Sequence, residues 1–234
     1  MFRVHALQPA SRTLRTLAAL LSYPDALVRS HLPEMADLLR QERCLPTPRS
    51  AELQALIGSL RAGDPLAVEA AYVELFDRGR ATSLHLFEHV HGDSRDRGPA
   101  MIDLGQTYEK AGLVLAEGEL PDYLPAVLEF VSTQPPVEAK AFLGEMAHIF
   151  NAIFGALQQR ESAYASVLGA LLELAGERAQ PVKPAAEESL DESWAEPVVF
   201  DGCSSKGQAK PGQAQPIHVV RKSSVAAAET GAAS

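Results

Sequence analysis

The sequence predicts an all-α fold: a single globular bundle of about eight to ten helices over residues 1–176, followed by a disordered tail over residues 177–234. Apolar residues recur at helical spacing along the first three-quarters of the chain, and prolines and glycines separate these stretches. No stretch alternates apolar and polar residues in the way that a half-buried strand does. The composition, 46% hydrophobic and 22% charged, is typical of a globular protein.

The first predicted helices are delimited by polar caps and prolines. Ser11 can cap a helix whose leucines share one face, and this helix ends before Pro24. The helical pattern continues over residues 25–42. We expect Pro33 to break it into two pieces, because a proline inside a helix removes one backbone hydrogen bond.

The next two helices carry the same kinds of signal. Ser50 can cap a helix with apolar residues at positions i, i+3, i+4 and i+7, and Gly63 ends it. Asp64 is predicted to cap a helix in which Pro65 occupies the first position. A further helix is therefore predicted to begin at this pair.

The remaining helices complete the predicted bundle. Gly98 and the proline after it introduce a helix that ends near Gly118. Residues 136–160 carry a wide apolar stripe and predict one long helix. Ser162 can cap the last helix, which Gly176 ends.

The composition changes beyond residue 176. The segment is rich in Pro, Ala, Ser, Gln and Gly, and residues 187–201 carry six acidic side chains and no basic one. Such a segment cannot bury enough apolar surface to offset the entropy lost on ordering, so we expect a disordered tail. Within it, residues 194–200 include Trp194 and Phe200, which could dock on a partner or on the bundle.

The charge and the cysteines exclude several classes of protein. The 30 acidic and 21 basic residues give a net charge of −9 and a pI near 5.3, so a general nucleic-acid binder is not expected. Cys44 and Cys203 are too few for a disulfide scaffold or a cysteine zinc site. No secretory signal is present. The sequence also contains no uncharged apolar run of about 18 residues, which is the length needed to cross a membrane. We therefore predict a soluble, cytoplasmic protein without membrane insertion.

The densest group of functional side chains lies in residues 75–98. His85, Glu88 and His89 form an H-x-x-E-H pattern, which on a helix could place two zinc ligands and a general base on one side. The pattern leaves three hypotheses open: a zinc-dependent hydrolase, a non-catalytic metal site, or ordinary hydrogen bonding and partner contact. Other catalytic templates are absent, since the sequence has no G-x-S-x-G elbow and no phosphate-binding glycine loop.

Two further segments could form a binding surface. Tyr72, Leu75 and Phe76 share one helical face, which fits either core packing or the floor of a groove. Residues 119–125 form a proline-stiffened connection in which Asp122 can cap the next helix. That connection is either a rigid turn or a rim that presents Asp122 and Tyr123 to a ligand.

These segments resemble a known family. The stretch YVELFDRGRATSLHLFEHVHGDSRDRG, followed by ELPDYLPAVLEFVS, is similar to the nitrate reductase molybdenum cofactor assembly chaperones of the NarJ or delta-subunit type, within the wider TorD-like group of redox-enzyme maturation chaperones. The resemblance runs from about residue 17 to residue 174, and the EPVVF of the tail fits it too. It implies an all-helical cytoplasmic chaperone that is not an enzyme, and it implies no cofactor for the chain itself.

The resemblance also implies the partner. The chain would bind the apo catalytic subunit of respiratory nitrate reductase, including its N-terminal segment, and hold it competent for molybdenum cofactor and iron–sulfur insertion before membrane anchoring. Molybdenum cofactor biosynthesis proteins are further implied partners, whereas nucleic acid is not. A generic helical adaptor stays as the alternative, with the zinc-dependent hydrolase behind it.

The residues expected to bind the partner peptide follow from the same resemblance. The wider group has an aromatic-x-x-Leu-Phe element and an acidic Pro-Asp-His hinge. Tyr123 stands where many relatives have histidine, so a role that needs an imidazole there is not carried over. The full expected set is Tyr72, Leu75, Phe76, His85, Glu88, His89, Arg95, Glu119, Asp122 and Tyr123.

Overall fold

Helices form all the regular structure of residues 10–91 and 95–180, which are the residues that the computed structural model of the chain describes. The ten α-helices of this part are α1 Ser11–Leu21, α2 Ala26–Glu42, α3 Thr47–Ala62, α4 Pro65–Phe76, α5 Leu86–Val90, α6 Arg97–Lys110, α7 Leu124–Thr133, α8 Pro136–Glu145, α9 Ala147–Gln159 and α10 Ala165–Ala175. A short 3₁₀ turn, Arg80–Thr82, lies between α4 and α5. The predicted all-α class is confirmed.

Helices α1, α7 and α10 carry the most buried side chains. The leucine face of α1 packs against α7 and α2, and Leu17 and Leu21 have no exposed surface. Nearly every residue of α7 is buried, as its apolar sequence LPAVLEFV requires. Helix α10 packs against α9, α8 and α3, with Val167 and Leu171 fully buried. Burial of these faces, and not intrinsic helix propensity, stabilises most of the bundle.

The start of α4 follows the local sequence signal. The side chain of Asp64 accepts a hydrogen bond of 3.0 Å from the backbone N–H of Ala67, and Pro65 is the first helical residue. The predicted cap at this position is confirmed. Its geometry depends only on residues within one turn of the helix, which is why the sequence predicts it.

Two other predicted caps are wrong. Helix α1 begins at Ser11, but the Ser11 hydroxyl donates to the carbonyl of Ser132 on α7 and caps nothing. Helix α3 begins at Thr47, so Ser50 lies inside it. The earlier start of α3 is compatible with its proline, which occupies one of the first two helical positions, where no backbone donor is required.

The structure also corrects four predicted helix boundaries. Helix α2 runs unbroken through Pro33, which is exposed. The predicted helix 136–160 is two helices that meet at Met146, because the chain turns there and both halves pack against α10. Helix α6 ends at Lys110, well before Gly118, and the last helix begins at Ala165 after Tyr164 rather than directly after Ser162.

Several predictions concern residues outside the described part of the chain. The tail beyond residue 180, with its segment 194–200 and Cys203, lies there, so the division at residue 176 stays a prediction. The described residues belong to one unit, Met1–Glu187, and the second unit, Glu188–Ser234, is outside them. Among the described helices, none combines the length and the apolar character that crossing a membrane requires.

Candidate functional site

Tyr72 and Phe76 form part of an aromatic cluster on the inner side of α4. Their side chains are only 4% and 5% exposed. The ring centroids of Tyr72 and Phe76 lie 4.8 Å apart, and Tyr164 lies 5.1 Å from Phe76 at 84°. Tyr23 meets the ring of Tyr72 edge-on at 5.6 Å. The two predicted residues therefore pack in the core, and Leu75 lies partly buried beside it.

The hydroxyl of Tyr72 joins three segments of the chain. It donates a 2.7 Å hydrogen bond to the carbonyl of Leu21 at the end of α1, and it lies 3.3 Å from the hydroxyl of Tyr123. Burial, and then the hydrogen bond with Tyr123, raise the pKa of Tyr72 well above its ordinary value. The phenol therefore stays protonated and keeps its role as a donor.

Asp122 is the most buried charged group of the predicted set. Its side chain has no exposed surface, and its Oδ1 lies 3.3 Å from Nδ1 of His85. Its Oδ2 accepts a 3.1 Å hydrogen bond from the backbone N–H of Phe87 and lies 3.8 Å from the guanidinium of Arg97. A buried carboxylate requires such partners, because its desolvation is otherwise strongly unfavourable.

The prediction that Asp122 caps α7 is wrong. The residue before that helix is Tyr123, which makes no side-chain cap, and the Asp122 carboxylate instead binds the first turn of α5. The backbone brings the two segments together. Leu86 donates its N–H to the carbonyl of Asp122 at 3.0 Å, and Leu124 donates to Leu84 at 2.9 Å. Residues 84–86 and 122–124 are thereby held side by side through an isolated antiparallel bridge.

His85, Glu88 and His89 do not converge as metal ligands. The hydrogen bond that His85 donates to the Asp122 carboxylate raises the pKa of His85, and partial burial opposes this rise. His89 places its Nε2 2.9 Å from the carbonyl of Ser83, while Glu88 lies 3.6 Å from the guanidinium of Arg97. Within the described residues, no group of three or more His, Cys, Asp or Glu side chains is arranged to hold a metal ion. The geometry favours hydrogen bonding for these three residues.

Sequence reasoning missed Arg97. The predicted set names Arg95, which is exposed, whereas Arg97 is the arginine that lies beside both Glu88 and Asp122. The motif SRDRG contains both arginines, and their spacing alone does not say which one turns inward. Only the position of α6, which begins at Arg97, decides between them.

A surface pocket lies beside this network, between α1, α6, α7 and the connection after α6. Its volume is about 350 Å³, at the lower end of ligand pockets. Glu119 is the one predicted residue that lines it. The residues that form its walls include Arg15, Tyr108, Leu113, Ala126 and Phe130. The apolar stretch that follows α6 was the available sequence signal, but we expected it to continue the helix.

The predicted set thus divides by position. His85, Asp122 and Tyr123 lie together, with Tyr72 joined to them through the Tyr123 hydroxyl. Glu88 joins them through Arg97. Glu119 is exposed at the neighbouring pocket.

Comparison with known proteins gives consistent matches. The family model of the nitrate reductase delta subunit matches residues 42–170. The nitrate reductase molybdenum cofactor assembly chaperone NarJ of Escherichia coli (strain K12) is 43% identical over 197 residues, which cover 83% of this chain and 82% of that protein. The nitrate reductase-like protein NarX of Mycobacterium tuberculosis (strain ATCC 25618 / H37Rv) is 34% identical over 155 residues, which cover 66% of this chain and 23% of that protein.

A solved structure shares the fold. It is the crystal structure of an Archaeoglobus fulgidus protein described as a candidate redox enzyme maturation protein. The TM-score is 0.53 at 20% identity, and the match covers 76% of this chain and 98% of that one. At this identity the likeness concerns the helical fold alone.

Proposed function

The chain belongs to the nitrate reductase delta subunit family, and on this premise we propose that it is an assembly chaperone for the molybdenum cofactor of a nitrate reductase. The observation that carries the proposal is the 43% identity to NarJ over most of both chains. In this role the chain is not an enzyme. The molybdenum cofactor is the cargo of the client and not a resident group of the chaperone.

The proposed client is the apo catalytic subunit of the nitrate reductase. The chaperone binds this subunit, including its N-terminal segment, in the cytoplasm and before membrane anchoring. It holds the subunit competent for insertion of the molybdenum cofactor and the iron–sulfur clusters. Proteins of molybdenum cofactor biosynthesis are proposed as transient partners at the insertion step.

Binding and release together account for such a role. By binding a segment of the apo subunit, the chaperone lowers the concentration of free apo subunit by mass action. Less of the subunit is then available to aggregate or to dock on the membrane. Release follows when cofactor loading lowers the affinity of the subunit for the chaperone, since a ligand shifts an equilibrium only by its differential affinity for the two states. No catalytic group is needed for either step.

The positions of the predicted residues support a division of roles. Exposed groups, of which Glu119 and Arg95 are two, are accessible to a client. Tyr72, Phe76 and Asp122 are buried, so the proposal gives them a structural role in the bundle and no direct contact with the client. The negative charge of the whole chain favours a basic client segment and speeds its encounter at low salt.

A molybdenum assay tests the proposal. The nitrate reductase catalytic subunit is purified from cells with and without the chaperone gene, and its molybdenum content is measured. We expect the content to fall strongly without the chaperone and to return when the full chain is supplied again. Unchanged molybdenum content, with binding retained, would instead support a generic helical adaptor.

A further inference from the structure

We propose that the pocket between α1, α6 and α7 receives one large apolar side chain of the client segment, with a basic residue of the same segment at its acidic rim. This inference rests on the proposed function and specifies its binding site. It moves the client contact away from the buried Tyr72–Phe76 face, where the predicted groove floor was placed, to a surface that is open in this structure.

The inner wall of the pocket carries aromatic and aliphatic side chains, although polar groups make up the larger share of the exposed lining. The rings of Tyr108 in α6 and Phe130 in α7 pack at an interplanar angle of 41° with their centroids 4.9 Å apart, and both residues are buried. Leu113, Leu115 and Ala126 complete this wall. A cavity of about 350 Å³ has room for one aromatic or branched aliphatic side chain against this wall.

The edge of the pocket exposes apolar side chains to water. Val114 lines the pocket and is 90% exposed, and Leu120, in the connection just after it, is 44% exposed. Both belong to the segment between α6 and α7. Exposed apolar side chains around a concave surface are typical of protein interaction sites. A helical client segment would cover them when its apolar side chain enters the pocket.

The charges at the rim select a basic partner. Glu119 and Glu129 both line the pocket and are exposed, and neither has an ion-pair partner among the described residues. The guanidinium of Arg15, also at the rim, donates from Nε to the hydroxyl of Ser132 at 3.1 Å. The rim therefore carries an excess of one negative charge, and a lysine or arginine of the client is its complement.

The pocket is connected to the buried network. The Tyr108 hydroxyl donates a 2.8 Å hydrogen bond to the carbonyl of Pro121, the residue before Asp122. Asp122 in turn holds α5 through Phe87. The inner wall of the pocket and the 119–123 connection are therefore positioned by the same contacts.

Calorimetry with designed variants tests the site. The full chain is titrated with a synthetic peptide of the N-terminal segment of the nitrate reductase catalytic subunit from the same organism. Thr133→Trp fills the pocket from its exposed rim, and Glu129→Lys reverses one rim charge. Matched controls on exposed residues outside the pocket are Thr107→Trp and Glu138→Lys. We expect each pocket variant to weaken peptide binding about tenfold or more, and each control to stay within about twofold.

The outcomes separate the site from the function. If the wild-type chain binds the peptide and both pocket variants bind it equally well, the pocket is not the site, while the proposed function stands. The pocket is also excluded if the chain binds the full catalytic subunit but not the peptide. If the chain binds neither the peptide nor the full subunit, the proposed function itself is wrong. Circular dichroism of each variant establishes that it is folded.

Discussion

The imidazole Nδ1 of His85 lies 3.3 Å from the Oδ1 of Asp122, although 37 residues separate them in the chain. This contact closes a bridge between the segment before α5 and the segment before α7. The Asp122 side chain has no exposed surface, so its carboxylate has lost its hydrogen bonds to water. Contacts with His85, Arg97 and the N–H of Phe87 offset the cost of this desolvation. The bridge holds two of the predicted site segments in one place.

Loss of the Asp122 carboxylate should destabilise the fold. Asp122→Ala leaves the Phe87 N–H without its acceptor and removes the partner of His85, which we expect to lower the free energy of unfolding by roughly 3 kcal/mol. Asp122→Asn keeps an oxygen acceptor and should cost less. Urea unfolding of both variants measures the difference. Equal free energies of unfolding for Asp122→Ala and the wild type would show that the buried carboxylate contributes nothing.

Stability should depend on pH through His85. The hydrogen bond that His85 donates to Asp122 raises the folded-state pKa of His85 above the ordinary value of about 6.5. Because this pKa is raised, protonated His85 stabilises the fold, and its contribution is complete below about pH 6.5. The contribution is lost as the pH rises through the folded-state pKa. We expect the free-energy difference between wild type and His85→Gln to shrink from pH 6 to pH 8. The exposed His148→Gln is the control, and an equal pH dependence of its effect would contradict the assignment to His85.

Phe76 should act on stability and not on direct client contact. Its ring is 5% exposed and packs against Tyr72 and Tyr164, so Phe76→Ala leaves a cavity and costs about 3–5 kcal/mol. For the fraction of the variant that remains folded, we expect the peptide affinity to stay close to that of the wild type. Thermal unfolding and calorimetry below the transition measure the two effects separately. A large affinity loss without loss of stability would restore Phe76 as a contact residue.

The hydroxyl of Tyr72 should contribute through its buried hydrogen bond. Tyr72→Phe removes the donor to the Leu21 carbonyl and leaves that acceptor at the end of α1 without its partner. We expect the free energy of unfolding to fall by about 1 kcal/mol, with the ring packing unchanged. Tyr23→Phe, on a half-exposed ring of the same cluster, serves as the control. A larger loss at Tyr23 than at Tyr72 would contradict this assignment.

Two glycines should respond to alanine in opposite directions. Gly58 lies exposed inside α3 with open space around its Cα, so Gly58→Ala should stabilise the fold by about 0.5–1 kcal/mol. Gly176 ends α10 with a φ of +85°, and an added Cβ would meet the Lys140 side chain at 2.8 Å. Gly176→Ala should therefore destabilise the fold by about 1 kcal/mol. Thermal melts of the two variants compare them directly, and shifts of the same sign would refute the distinction.

The sequence predicted those parts of the fold that depend on neighbouring residues. The Asp64 cap and Pro65 lie within one helical turn. The contacts that form this cap involve only neighbouring residues, so they do not depend on how the bundle packs. The apolar spacing likewise predicted the all-α class. The turn at Met146 was missed, because the stripe continues across it and only packing of both halves on α10 requires the chain to change direction there.

The candidate site shows the same limit. The sequence identified the three segments around Tyr72, His85 and Asp122, and the family resemblance directed attention to them. It did not show that Tyr72 is buried, that Arg97 rather than Arg95 meets Asp122, or that a pocket opens beside Glu119. Each of these depends on which side of a helix faces a segment that is distant in sequence.

The sequence by itself determined the helical class, the acidic character and the family, because composition, spacing and motif are properties of the chain order. The tertiary structure alone decided the partner of Asp122. A carboxylate before a helix caps the nearest free N–H group that it can reach, and here that group belongs to α5, which the backbone bridge brings beside it. The same packing places the open pocket between α1, α6 and α7, because side chains far apart in the sequence form its walls.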